Sequence, residues 1–78
     1  MQLSDAIRLK INNLMKDKNV NVWYICKNTA IPCSTITTFL NGKTKLPQID
    51  TLLYICEAFN ITLSEFFNDD VFKDVESD

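Results

Sequence analysis

Apolar residues recur at helical spacing in short runs along nearly the whole chain, and asparagine- or proline-centred breaks separate the runs. The first comprises Leu3, Ile7, Ile11, Leu14 and Met15, which places these side chains on one helical face, with Arg8, Lys10, Asn13 and Lys16 on the other. Asp17-Lys18-Asn19 breaks the pattern. Asn21 is then a suitable N-cap, its side chain accepting from a free backbone N–H, for a second helix of about eight residues. Val20 and Ile25 stand at the positions of a hydrophobic staple across that cap.

A break follows at Ala30-Ile31-Pro32, because the residue before proline is pushed out of the helical region while proline itself suits a first helical position. The next segment, Cys33-Ser34-Thr35-Ile36-Thr37-Thr38-Phe39-Leu40, is rich in β-branched residues, so local propensity favours a strand and the pattern alone leaves helix or strand open. Asn41-Gly42 ends it, and Lys43-Thr44-Lys45 makes a basic loop before Leu46-Pro47. Ile49, Leu52, Leu53, Ile55, Cys56 and Phe59 then recover helical spacing, with Asn60 as a left-handed stop. Thr62-Leu63-Ser64-Glu65 is a capping box flanked by Ile61 and Phe66 at staple positions, which starts a fifth short helix at Leu63.

The chain has 78 residues, 46% of them apolar, with a single glycine and no histidine. That length makes one small domain with a thin core, for which a second copy is an expected partner. Without histidine it lacks the usual general base and the commonest metal ligand. Nor is there a glycine-rich phosphate loop or a carboxylate pair with an evident pocket, so neither an enzyme nor a metal or cofactor is expected. Cys26, Cys33 and Cys56 are odd in number and lack C-x-x-C spacing, which suggests three reduced thiols rather than a disulfide framework or zinc site. Residues 1–10 carry Asp5, Arg8 and Lys10, and the longest apolar run is only Val22-Trp23-Tyr24-Ile25-Cys26, which argues against a signal peptide or a spanning helix. A cytoplasmic protein with no membrane partner is expected.

Net charge is −2, but residues 1–68 hold seven cations against five anions, and residues 69–78 one cation against five anions. The expected division is therefore a mildly basic domain, 1–68, that tolerates nucleic acid, and an acidic C-terminal tail, 69–78, read first as a solvated terminus and second as a regulatory or partner segment. Val71, Phe72 and Val75 lie at i, i+1 and i+4, so they either extend the fifth helix into a dimer contact or fray with the tail.

Residues 20–67 resemble the Cro/repressor-type helix-turn-helix family of bacterial and phage regulators, also called the xenobiotic-response-element family. The resemblance rests on Ile25-Cys26 where the family has Leu-Ala, on Ile36 inside the third segment, and on Asn41-Gly42-Lys43-Thr44-Lys45 with Pro47 beyond. Residues 52–67 are also similar to the family's LxxIxxALxVxxxxLL ending. It implies an all-α, five-helix lambda-repressor-like DNA-binding domain in which residues 22–29 and 33–40 form the helix-turn-helix, the second helix lying in the major groove. Helix thus replaces strand as the expectation for 33–40. Three departures stand out. Met15 and Leu40 occupy positions where many members carry an arginine and a glutamate, Ala30 stands where a turn glycine is common, and Val22, Trp23 and Tyr24 give the second helix an unusually apolar entry.

The implied function is a sequence-specific, DNA-binding transcriptional regulator, a small dimeric repressor. Cys33, Ser34, Thr37 and Thr38 fall on the base-reading positions, while Asn21, Asn41, Lys43 and Lys45 are placed for phosphate. Cys33 is read first as a small residue that fits and second as a thiol that makes binding oxidant-sensitive. Trp23 and Tyr24 either cover a neighbouring helix or, with Phe72, meet a second copy or a protein partner, and the tyrosine hydroxyl can also serve a phosphate. The alternative function is a protein-interaction module on the same scaffold, such as the antitoxin half of a toxin pair.

Overall fold

Helix α1, Leu3–Lys18, forms where the first apolar run directs it and buries Ala6, Ile7 and Ile11 completely or nearly so. It stops at Asn19, which adopts a left-handed φ of 56°, and the Val20 N–H closes on the Met15 carbonyl at 2.9 Å. Asparagine tolerates that conformation better than most residues with a Cβ, so the break is encoded locally. The computed structural model describes residues 1–43 and 46–77.

Four further helices follow: α2 (Val22–Lys27), α3 (Cys33–Leu40), α4 (Ile49–Ala58) and α5 (Leu63–Phe67), then a single 3-10 turn at Asp70–Phe72. The Asn21 side chain accepts from the Trp23 N–H at 3.0 Å, the cap expected for α2. Helix α2 ends two residues earlier than the expected Thr29, whose hydroxyl instead donates to the Ile25 carbonyl at 2.8 Å. Ala30 is absent from the left-handed backbone positions, which among the described residues are Asn19, Asn60 and Gly42. The turn therefore needs no glycine at Ala30.

Helix α3 forms despite its β-branched sequence because Ile36 and Phe39 find the core, at 1% and 4% exposure, and that burial outweighs propensity. Asn60 ends α4 with φ 59°. Thr62 and Glu65 then form the full capping box of α5, both bonds at 3.0 Å. One contiguous cluster joins all five helices through Ile7, Ile11, Ile25, Ile36, Ile55 and Phe66 among others. Met15 and Leu40 are both half-buried against it.

Arg8, on the polar side of α1, turns out to be a tertiary tie. Its Nε donates to the Phe39 carbonyl at 2.8 Å, its guanidinium lies 4.9 Å from the centroid of the Phe39 ring, and Nη1 pairs with Asp5 at 2.9 Å. It thereby adds a charged donor to a carbonyl in the last turn of α3 that also accepts from the Gly42 N–H.

The acidic segment is not a free terminus. Lys10 pairs with Asp69 at 2.8 Å, and Asp69 also caps the 3-10 turn by accepting from the Val71 N–H at 3.1 Å. Phe72 packs its ring 5.8 Å from Phe66 and 4.9 Å from Phe67. Farther on, the Leu3 N–H donates to the Glu76 carbonyl at 2.8 Å and the Glu76 N–H to the Met1 carbonyl at 2.9 Å. These contacts fold residues 69–77 back over the start of α1, which corrects both expectations for Val71, Phe72 and Val75. They neither extend α5 nor fray.

Candidate nucleic-acid interface

Helices α2 and α3 meet across a turn of residues 28–32, the arrangement that leaves one side of α3 facing outward. With Ile36 and Phe39 inward, the outward row runs Ser34, Thr38 and Asn41 at i, i+4 and i+7, flanked by Thr35 and Thr37. Ser34, Thr35 and Asn41 are exposed and Thr38 is half-buried. Thr37 spends its hydroxyl proton locally, donating to the Cys33 carbonyl at 3.1 Å or the Ser34 carbonyl at 3.2 Å, and so meets a ligand as an acceptor.

Cys33 departs from expectation. It shares the inner side of α3 with Ile36 and Leu40 and is joined in a disulfide to Cys26 of α2, with Cα atoms 5.1 Å apart. The three reduced thiols expected from the sequence are thus one buried thiol, Cys56, and one pair. The sequence separation of 7 hid the pairing, because only the crossing of α2 on α3 brings the two together. Burial, reinforced by the neighbouring Glu57 carboxylate, pushes the Cys56 thiol up to about 11.

Gly42 adopts φ 79°, and the N–H groups of Gly42 and Lys43 close on Phe39 and Thr38 carbonyls at 3.0 and 3.1 Å. This turn sets exposed Lys43 directly beyond the outward row of α3. Lys45 and Thr44 lie outside the described residues. Asn21 is exposed at the start of α2, where its side chain already serves as the cap. A groove of about 480 Å³ runs between α3 and the entry to α4, with Ser34, Thr35, Thr38, Gln48 and Thr51 on its polar rim.

The three aromatic residues separate clearly. Tyr24 donates its hydroxyl to the Ala58 carbonyl at 2.9 Å and packs 5.7 Å from the Phe59 ring, so it braces α2 against α4. Phe72, expected at a contact to another chain, is occupied within its own chain by Phe66 and Phe67. Trp23 alone remains open, 65% exposed. Sequence reasoning passed over Thr35, although the position of Ile36 sets it on the rim of the outward row. Ile49, the first residue of the run whose spacing marks α4, is 73% exposed at the first turn of that helix. Among the described residues no group of three His, Cys, Asp or Glu side chains is placed to hold a metal ion, and no helix is long and apolar enough to cross a membrane.

A short helix braced by a turn against a second helix, whose hydrophilic row stands free beside a lysine-bearing loop, defines a helix-turn-helix nucleic-acid-binding domain. The chain belongs to the Cro/C1-type HTH DNA-binding domain family, whose model matches residues 10–70, and this is not a family of enzymes. A solved structure, that of the prophage Lp1 protein 11, is similar over 96% of this chain and 100% of its own, with a TM-score of 0.81 at 20% identity. That likeness is one of fold. No curated protein sequence matches this one significantly.

Proposed function

We propose that the protein is a cytoplasmic transcriptional regulator, a small repressor that binds an operator as a homodimer with α3 in the major groove of each half-site. The observation that carries this reading is the free outward row of α3, Ser34, Thr38 and Asn41, continued by Lys43 just past the helix. Ser34, Thr37 and Thr38 face base edges, with Thr35 added at the rim, and Cys33 supports them from the inner side. Lys43, Lys45, Asn41 and Asn21 serve phosphates, the last with the backbone amides at the start of α2. Residues 1–68 carry the DNA-binding function, and 69–77 act as a clasp on α1.

Hydroxyls can donate, accept and offer a methyl to thymine, but they form none of the bidentate pairs by which arginine reads guanine or glutamine reads adenine. One domain therefore discriminates weakly. Two copies reading half-sites about one helical turn apart, with DNA shape between them, supply the rest. The test is titration of the protein onto fluorescent DNA from upstream of its own gene, at low and moderate salt, beside a scrambled duplex. Saturable, salt-weakened binding that prefers the native duplex is expected, and equal weak binding to both would overturn the operator reading.

A second reading is favoured by one observation, the exposed Trp23 at the head of α2. An aromatic side chain left open beside DNA-facing elements suits a protein partner, as in an antitoxin. Stable co-purification with a second protein, abolished by Trp23→Ala, would support it.

A further inference from the structure

The three cysteines occupy two kinds of environment. Cys56 is fully buried in α4 and its raised pKa keeps it protonated and inert. Cys26 and Cys33 are only partly buried, on the two helices of the helix-turn-helix, and are bonded to one another. Their Cα separation of 5.1 Å lies within the range that a disulfide bridges without backbone movement, so the same fold accommodates both oxidation states.

We propose that Cys26–Cys33 is a reversible thiol–disulfide site that exchanges with dithiol reductants and, by clamping α2 to α3, couples redox state to DNA affinity. The coupling to DNA rests on the function proposed above. In the compartment where DNA is bound, thiols are kept reduced, and disulfides that do form there are characteristically transient or redox-sensing. A thiolate of the reductant attacks one sulfur of the pair, and the displaced sulfur leaves as a thiolate and takes a proton. The reductant's second thiolate then resolves the mixed disulfide, and the other cysteine is protonated in turn. Two electrons and two protons enter the protein, and the reductant leaves as its own disulfide.

The clamp adds a covalent tie to an interhelical angle that is otherwise set by the burial of Ile25, Ile31 and Ile36 in the core. Helix α2 has six residues, and the turn of residues 28–32 is held by the bonds of Thr29, to the Ile25 carbonyl at 2.8 Å and from the Ile31 N–H at 3.4 Å. With the pair oxidised, α3 is presented pre-ordered to the groove. With it reduced, binding must order the unit, and affinity falls by roughly three- to tenfold, the scale of one or two newly immobilised side chains.

The full chain is poised in glutathione buffers of graded oxidised-to-reduced ratio, quenched and alkylated in denaturant, and the thiols are counted by mass while DNA affinity and melting temperature are read in parallel. The expected result is a single step from one alkylated cysteine to three, with affinity and melting temperature falling in the same step. The double variant Cys26→Ser, Cys33→Ser is expected to match the reduced protein and to ignore the buffer. Three thiols throughout the series, or a double variant that responds as the parent does, overturns the proposal. Absence of DNA binding in every state would refute the proposed function instead, and the thiol count with the melting step would then decide whether the exchange site exists.

Discussion

Replacing Arg8 by methionine isolates the tie between α1 and α3. The substitution keeps an aliphatic stem to pack against the core but removes three interactions of one side chain. The bond from Nε to the Phe39 carbonyl, 2.8 Å long on a side chain only 16% exposed, is charge-assisted and is worth about 1.5–3 kcal/mol. The guanidinium over the Phe39 ring at 4.9 Å adds about 0.5–1 kcal/mol. The pair with Asp5, whose side chain is 56% exposed, is screened and adds at most a few tenths, roughly, of a kcal/mol. Because one side chain makes all three, they do not simply add, and about 2–3 kcal/mol is expected in total. In a domain this small that lowers the melting temperature by roughly 10–20 °C. Urea unfolding followed by circular dichroism measures it, with Asp5→Ala as the companion variant expected within about 0.5 kcal/mol of the parent. Arg8→Met losing no more than Asp5→Ala would show that the tie to Phe39 contributes nothing and that the reasoning is wrong.

Three other outcomes are expected. Leu40→Glu puts a carboxylate half-buried beside the core with no arginine at Met15 to meet it, and should cost about 1–3 kcal/mol by the same urea assay; an unchanged midpoint refutes that pairing logic, and adding Met15→Arg should recover part of the loss. Lys43→Ala with Lys45→Ala should weaken binding to all duplexes alike and reduce the slope of affinity against salt by about two; an unaltered slope would remove both lysines from the phosphate contacts. The hydrogen bond from Lys10, helped by the Val71 N–H, holds the Asp69 carboxyl below its ordinary range. Since the folded pKa is depressed, this stabilisation is fully present above the unfolded carboxylate value and is lost as pH falls through the folded one. The gap in melting temperature between parent and Asp69→Asn should therefore close in strong acid, and a gap constant with pH would contradict it.

Local rules carried most of the fold. Asn19, Asn21, Asn60 and the Thr62–Glu65 box are each decided by neighbours within a few residues, and each does in the structure what its position dictates. Segment 33–40 was different, because its β-branched residues argue for a strand until the core that receives Ile36 and Phe39 is known. The ties missed all depend on tertiary placement rather than on neighbours in sequence. Arg8 meets a carbonyl 31 residues away and Lys10 a carboxylate 59 residues away, distances over which no periodicity carries information. Cys26 and Cys33 are nearer in sequence, but their pairing depends on a helix crossing rather than on spacing. In the candidate interface, the outward row was legible once Ile36 was placed inward, whereas the bond of Cys33 to Cys26 was not, because it depends on where α2 crosses α3.

The chemistry of that row bears on how such a regulator can be specific at all. In the proposed complex, a face of hydroxyls and one amide contributes little discrimination at any single base pair, so the energy would be drawn from phosphate contacts and from correct relative placement of two copies. Phosphate contacts are indifferent to sequence but strict about position, and they reward a protein whose reading helix is held at a fixed angle. The means of holding α3 are unusually many for so short a helix: Arg8 at its last turn, Ile36 and Phe39 in the core, and Cys26 at its first turn. Two of these are polar or covalent ties rather than burial, as a thin core demands. Under the proposed function, rigidity of α3 would stand in for the arginine and glutamine contacts its surface lacks, and loosening either end should lower specificity for the native duplex more than it lowers affinity for DNA as such.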